Sequence, residues 1–237
     1  MVIQGEGTMD RRAFTLIELL SVITIVTILA IIAVPSLFSG RLLANEVATI
    51  GTLRSIASAQ SVFRQRQVVD QDGDGQGEYG FLRELAGAVM PRGGASVLEP
   101  PAISQTLGNV VGTGVATKSG YALVMFLPSG TGVPVMEPAG DFPGANPDDA
   151  KSQELAWACY AIPLAIKSTG NRAFVVNQQA QVYATANVNV QDYDLTNIAP
   201  LTANPNAAFE AGVENLTGRF AEGQGAAQDG GTWVPAS

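Results

Sequence analysis

Histidine is absent from the 237-residue sequence, and cysteine occurs once, as Cys159. The absence of histidine removes the commonest general base and the commonest metal ligand, and with them most hydrolase and zinc-enzyme mechanisms. Cys159 lies in an apolar run at residues 157–162, where a buried small hydrophobe is expected ahead of a reactive thiol. The sequence also lacks a nucleophile–base arrangement and a phosphate-binding glycine loop, so an enzyme is the weakest interpretation.

Charged residues are scarce as well, at 14% of the chain, against a usual value of about 25%. Those present are unevenly placed. From Val68 onward, the chain has seven Lys or Arg residues and 17 Asp or Glu residues, a net charge of −10. Such a surface repels phosphate backbones, which disfavours nucleic acid as a direct partner of this part.

An apolar run at residues 14–38 carries one charge, Glu18, and follows the basic pair Arg11 and Arg12. About 24 apolar residues span a hydrocarbon core of roughly 30 Å as a helix, and the basic flank predicts a cytoplasmic N-terminus. The apolar region of a secretory signal peptide is shorter, about 7–15 residues. A plain membrane anchor leaves Glu18 unexplained, because an ionised carboxylate within a membrane span is costly and is a functional hypothesis by default.

The string RRAFTLIELL at residues 11–20 resembles the class III signal of type IV prepilins and type II secretion pseudopilins. The resemblance implies that a prepilin peptidase cuts between Ala13 and Phe14, and that Phe14 is then N-methylated. Residues 1–13 would be the leader that is removed, with translation starting at Met1 or Met9. One departure from the family pattern is Ala13, where glycine is usual.

The resemblance also implies roles for Glu18 and Pro35. Cleavage creates an α-amine on Phe14, and in a filament the Glu18 carboxylate of one subunit would neutralise the Phe14 amine of its neighbour. Such a buried pair would act mainly as a registry device; pairing within one chain is the alternative. Pro35 lies where family members commonly carry a helix-kinking proline. The implied partners are the peptidase, other pilin or pseudopilin subunits in a helical polymer, and an inner-membrane assembly platform.

After residue 38 the pattern becomes amphipathic. Apolar residues recur mostly at three- and four-residue steps, at Leu43, Val47, Ile50, Leu53, Ile56 and Phe63. Residues 14–66 therefore predict one long helix. Its first part, residues 14–38, would lie in the membrane and later in the filament core. Its second part, within residues 39–69, would pack under an extracytoplasmic globular domain at residues 70–237.

An acidic, glycine-rich stretch at residues 70–80 follows the predicted helix. Asp70, Asp72 and Asp74 at alternate positions resemble the first half of an EF-hand calcium loop, with Glu78 as a further oxygen ligand. The twelfth loop position is Phe81, so the bidentate glutamate of a full EF-hand is missing. The stretch is therefore either a structural calcium site, the one cofactor considered, or an acidic turn without a metal.

The globular part predicts an antiparallel sheet of three or four strands. Strand patterns lie at residues 121–127, 155–162, 173–176 and 181–184, the last two joined by a turn at 177–180. Short helices are predicted at residues 81–89 and 208–220, long loops at 91–117 and 130–149, and a loosely ordered tail at 223–237. A long helix followed by a sheet is an α+β arrangement, similar to the loop-rich pilin fold.

Three functions stay open on the sequence alone. The first is a structural subunit that moves from the bacterial inner membrane into a type II secretion pseudopilus or a type IV pilus. The second is a minor pilin whose outer domain binds a surface or a secreted substrate. The third is a single-pass membrane-anchored binding module that never assembles, which retention of the leader in cells would support.

Overall fold

The computed structural model describes residues 14–94, 96–110, 114–138, 140, 142, 146–186, 193–222 and 226–236. The predicted leader, residues 1–13, lies outside the described residues. The chain divides into two compact units, Met1–Arg41 and Leu42–Ser237. Helix α1 runs from Leu16 to Gln65 through both units, which confirms the predicted long helix.

In the first unit, the described residues belong almost entirely to α1, and the side chains of the helix are exposed. Leu29 is 60% exposed and Ile32 is 71% exposed. A helix that is apolar on all sides is typical of a membrane span or of a buried core. This stretch is long and apolar enough to cross a membrane, and none of its most apolar window is buried.

The second unit contains a seven-stranded sheet in which every pairing is antiparallel. The strands are β1 (Val115–Lys118), β2 (Tyr121–Leu127), β3 (Val135–Met136), β4 (Ala158–Pro163), β5 (Ala173–Asn177), β6 (Val182–Thr185) and β7 (Trp233–Pro235). The strand order is β1-β2-β4-β5-β6-β7, and β3 also pairs with β2. The short helices are α2 (Leu82–Leu85), α3 (Pro147–Gln153) and α4 (Ala199–Ala203), with single 3-10 turns at Gln105–Gly108 and Leu195–Asn197.

One face of the sheet packs against the C-terminal stretch of α1. Leu53 and Ile56 are fully buried in a core that also contains Leu123 of β2 and Phe174 of β5. The later residues of the predicted apolar stripe are therefore buried. This packing of the helix on the sheet confirms the α+β, pilin-like architecture.

The two earliest members of the stripe do not join this core. Leu43 and Val47 are each 60% exposed, whereas Glu46 between them is buried. Glu46 accepts hydrogen bonds from the backbone N–H of Asn171 at 3.0 Å and from Arg172 Nε at 2.8 Å. Asn45 Nδ2 also donates to the Thr169 carbonyl at 2.9 Å, so these first turns of α1 are attached by polar contacts and not by Leu43 and Val47.

The other face of the sheet is covered by the C-terminal part of the chain. The rings of Phe209 and Phe220 lie 4.8 Å apart between centroids, and Trp233 packs on Tyr160 at 6.0 Å. The Tyr160 hydroxyl donates to the backbone oxygen of Pro205 at 2.9 Å. Burial on both faces explains why β2 reads as an uninterrupted apolar run.

Two predictions for this C-terminal part are wrong. Residues 208–220 are not a helix, because Asn215 and Leu216 take left-handed backbone angles, φ 54° and 62°, and Phe209 bridges Phe220 across the turn. The tail at 226–236 is not loose, because β7 pairs with β6. Residues 187–192, 223–225 and 237 lie outside the described residues.

The strand positions are mostly confirmed, but their number is wrong. Strand β2 coincides with the predicted 121–127, and β5 and β6 form the predicted hairpin. The sheet has seven strands instead of three or four. Strand β1 begins within the segment predicted as a loop at 91–117. Strand β3 lies in the predicted loop at 130–149, and α3 begins there. Strands of two to four residues are too short for a periodic pattern to reveal. The predicted helix at 81–89 is present but shortens to α2.

Candidate functional site

Helix α1 begins with a capping box formed by Thr15 and Glu18. The backbone N–H of Thr15 donates to Glu18 Oε2 at 3.1 Å, and the Thr15 hydroxyl donates to the same oxygen at 3.0 Å. The backbone N–H of Glu18 donates to Thr15 Oγ1 at 3.2 Å. These reciprocal bonds satisfy N–H groups that the first helical turn leaves unpaired, so Glu18 has a structural partner within its own turn.

Three hydroxyl side chains of the apolar stretch are satisfied by the helix itself. The hydroxyls of Ser21, Thr24 and Thr27 donate to backbone carbonyls three or four residues earlier, at 2.7–2.8 Å. Such bonds let hydroxyl side chains enter lipid without an unpaired donor. Glu18 differs from these hydroxyl side chains because it is the one charged side chain in the run at residues 14–38.

The structure locates three of the four predicted processing and assembly residues. Phe14 is 82% exposed and Glu18 lies in the first turn of α1. Pro35 lies inside the helix, and Ser39 Oγ donates to its carbonyl at 3.2 Å. Ala13 lies outside the described residues. The cut before Phe14, the pairing of its amine with Glu18 and the kink at Pro35 stay predictions.

The acidic loop at residues 70–78 begins shortly after α1 ends. Gln67 takes a left-handed backbone angle, φ 52°, which ends the helix. Asp70 accepts hydrogen bonds from the backbone N–H groups of Gly73 at 2.8 Å and Gly75 at 3.2 Å. Asp74 accepts from the N–H of Gln76 at 2.8 Å. The loop is thereby folded on its own carboxylates.

The structure brings the four predicted metal ligands together and adds Glu154. Two groups share Asp72: the first contains Asp70 and Glu78, and the second contains Asp74 and Glu154. Within each group, one carboxylate oxygen from each residue lies within 4.8 Å of the others. Glu154 directly follows α3, in the segment that leads into β4.

The two glutamates of this cluster are buried without a full set of partners. Glu78 is 0% exposed and Glu154 is 5% exposed. Glu78 Oε1 accepts from the backbone N–H of Gln71 at 2.7 Å. Glu78 Oε2 and Glu154 Oε1, however, have no hydrogen-bond partner among the described residues. None of the five carboxylates forms an ion pair with another described residue.

Burial raises the pKa of both glutamates. For Glu78, burial is the largest cause, and the hydrogen bond from Gln71 acts in the opposite direction. For Glu154, burial is again the largest cause of the raised pKa, followed by repulsion from Asp74 and Asp72. A cation placed among these groups would favour their charged forms.

Sequence reasoning missed Thr15 and Glu154 as site residues. Thr15 had a usable signal, because a threonine three residues before a glutamate at the start of an apolar run is the capping-box spacing. Glu154 had none, because it reaches the acidic loop only through the tertiary fold. Cys159, expected to be a buried hydrophobe, is fully buried in the core.

Residues 8–34 match the family model of the prokaryotic N-terminal methylation motif. No curated protein and no solved structure matches the chain significantly. The matched segment contains the predicted cut, Glu18 and the apolar stretch of α1 up to Val34. Pilin-like proteins of this motif family are structural, not enzymatic, and an apolar helix behind such a motif fits a membrane-anchored pilin. Residues 8–34 of the chain therefore carry a class III signal like that of type IV pilin-like proteins.

Proposed function

We propose that the protein is a structural subunit of a type II secretion pseudopilus or a type IV pilus. Prepilin peptidase cuts it between Ala13 and Phe14, Phe14 is N-methylated, and the inner-membrane assembly platform adds the mature chain to a filament. Before assembly it is a single-pass inner-membrane protein with its N-terminus in the cytoplasm. Arg11 and Arg12, which precede the apolar run, support that orientation.

The observation that carries this proposal is a methylation motif at the head of a helix whose apolar side chains are exposed. Ile25 is 59% exposed and Leu37 is 60% exposed. Fully burying one such side chain is worth about 1.5–3 kcal/mol, so a long stretch of them requires an apolar environment. Lipid provides it before assembly, and the helices of neighbouring subunits provide it in a filament.

The geometry of Glu18 suits a registry role. Both hydrogen bonds from Thr15 go to Oε2, and Oε1 accepts none from the described residues, so one oxygen can bind the methylated amine of a neighbouring Phe14. Cap and ion pair can then coexist. Two charges that are each costly in an apolar filament core offset one another only when subunits are in register.

The first test is the N-terminus of the protein in cells with and without prepilin peptidase. Intact mass and N-terminal sequencing of the membrane-purified chain should give a peptidase-dependent product that begins at N-methylated Phe14. A chain that keeps its leader in both strains would refute the proposal and leave a membrane-anchored binding module.

Two substitutions at the start of α1 separate the cap from the charge. Glu18→Gln keeps an acceptor for the capping box but removes the negative charge, whereas Thr15→Val removes the two hydrogen bonds of the Thr15 hydroxyl and keeps the charge. We expect both variants to be cut normally. The yield of sheared filaments should fall at least about tenfold for Glu18→Gln only, a change that corresponds to about 1.4 kcal/mol. Normal filaments from Glu18→Gln would exclude the registry role.

A further inference from the structure

The acidic loop differs from the other buried carboxylates of the second unit. Glu46, Glu84 and Glu137 each pair with an arginine at 2.8–3.2 Å. Asp70, Asp72, Asp74, Glu78 and Glu154 converge with no such partner among the described residues. A buried carboxylate without a hydrogen bond or a counter-ion is costly, and two oxygens of this cluster are in that state. A cation among these carboxylates would supply the partner that the two oxygens lack.

We propose that the acidic loop and Glu154 together bind one Ca²⁺ ion. Asp70, Asp72, Asp74 and Glu78 supply ligands from the loop, and Glu154 supplies the ligand that closes the site from the other side. This inference does not depend on whether the chain assembles into a filament.

The loop follows the EF-hand register up to the position where Glu154 is needed. Asp70, Asp72 and Asp74 occupy loop positions 1, 3 and 5. Gly75 falls at position 6, where EF-hands require glycine for a sharp turn, and its φ is +84°. Position 12, which carries the bidentate glutamate of an EF-hand, is Phe81, a buried core residue.

Glu154 replaces that twelfth-position glutamate from a distant part of the chain. The segment that carries it is already attached to the loop region by backbone hydrogen bonding, since the N–H of Tyr79 donates to the Gln153 carbonyl at 3.0 Å. Gln71 Nε2 also donates to Gln153 Oε1 at 3.3 Å. These bonds hold Glu154 beside the loop, with its Oε1 atom unpaired.

Distances and ligand chemistry favour calcium. Ca²⁺ takes six to eight oxygen ligands at 2.3–2.6 Å, so two ligands of one ion lie at most about 5 Å apart. Each of the two carboxylate groups meets that limit, because its ligand oxygens lie within 4.8 Å of one another, and Asp72 belongs to both groups. Mg²⁺ demands an octahedron at about 2.0–2.1 Å and keeps its waters, and zinc prefers the nitrogen and sulfur ligands that this cluster lacks.

A bound Ca²⁺ would fasten two segments of the second unit to each other. One is the loop that leaves the end of α1, and the other is the junction between α3 and β4. Because an ion that binds only the folded state stabilises it by mass action, calcium should raise the unfolding temperature of this unit.

The test uses the full chain in detergent, stripped with EDTA and dialysed. Isothermal titration with CaCl₂ should show one ion per chain. The unfolding temperature is measured by tryptophan fluorescence. At a Ca²⁺ concentration one hundred times the dissociation constant, the unfolding midpoint should rise by about 5 °C or more. No heat and no shift would overturn the proposal, and an equal response to MgCl₂ would overturn the choice of calcium.

Two variants and a control assign the ligands. Glu154→Gln should weaken calcium binding at least about tenfold, because the charge of the ligand set tunes affinity. In EDTA, Glu154→Gln should unfold at the wild-type temperature or above, since it removes an unpaired buried charge; a purely structural Glu154 would instead lower the midpoint with or without calcium. Glu214→Gln, at an exposed glutamate, should change neither quantity.

Asp72→Asn provides a second variant in case Glu154→Gln fails to fold. Asp72 belongs to both carboxylate groups and is half-buried, so its substitution should be tolerated by the fold and should weaken calcium binding at least about tenfold. Wild-type affinity in Asp72→Asn would refute the site.

Discussion

The more apolar stretch of helix α1 is the exposed one, and the amphipathic stretch is the one that is buried along one side. Up to Arg41, Leu and Ile side chains are exposed throughout. From Leu42 to Gln65, ten residues are buried, including the polar Glu46 and Gln60. Apolar composition alone therefore does not define a core. What separates the stretches is whether the chain itself supplies the packing partner, and for the first stretch the partner must be lipid or another subunit.

The largest expected difference between the stretches is in the effect of removing a leucine side chain. Leu53→Ala should lower the free energy of unfolding of the second unit by about 2–5 kcal/mol, because Leu53 is fully buried. Leu29→Ala should change it by less than about 0.5 kcal/mol. Denaturant titration in detergent measures both, and Trp157 and Trp233, both buried in the second unit, report on that unit alone. Equal losses would contradict the comparison.

A smaller contrast concerns the two glutamates of α1. Glu46→Gln should cost about 1–3 kcal/mol, since it weakens charge-assisted bonds to the backbone of Asn171 and to Arg172. Glu18→Gln should leave the unfolding of the second unit unchanged. The same fluorescence titration measures both variants, and a cost for Glu46→Gln below about 0.5 kcal/mol would show that this attachment is dispensable.

The smallest expected effect locates the boundary between the stretches. Val47→Ala should change the unfolding free energy by less than about 0.5 kcal/mol, because Val47 is 60% exposed although it belongs to the apolar stripe. Ile56→Ala, on the buried part of the same stripe, is the matched control. A loss at Val47 as large as that at Ile56 would mean that the core extends further toward the membrane stretch.

The sequence predicts the features of this protein that are encoded locally. The signal at residues 11–20, the long helix and the fully buried β2 each depend on neighbouring residues, so pattern and spacing suffice. The acidic loop is also local, and its four carboxylates were predicted as ligands on spacing alone. Glu154 was not, because its position beside the loop depends on how α3 and β4 pack.

The C-terminal layer over the sheet is the part of the fold that the sequence conceals. Phe209, Phe220 and Trp233 are isolated aromatic residues in polar, glycine-rich surroundings, so no periodic pattern reveals them. An indirect signal was available: β2 is apolar at nearly every position, and a strand of this kind must be covered on both faces. Helix α1 covers one face of the sheet, so the apolar pattern of β2 implies a second covering layer.

The position of β7 in the sheet has a consequence for the order of events during synthesis. At about 5–20 residues per second, the ribosome needs roughly 10–30 s to pass from the end of α1 to Trp233 of β7. Helix α1 is thus made well before the sheet that covers Leu53 and Ile56 is complete. The growing chain passes through a stage in which α1 is complete but its buried side chains are not yet covered, and in that interval those side chains are open to chaperones and proteases.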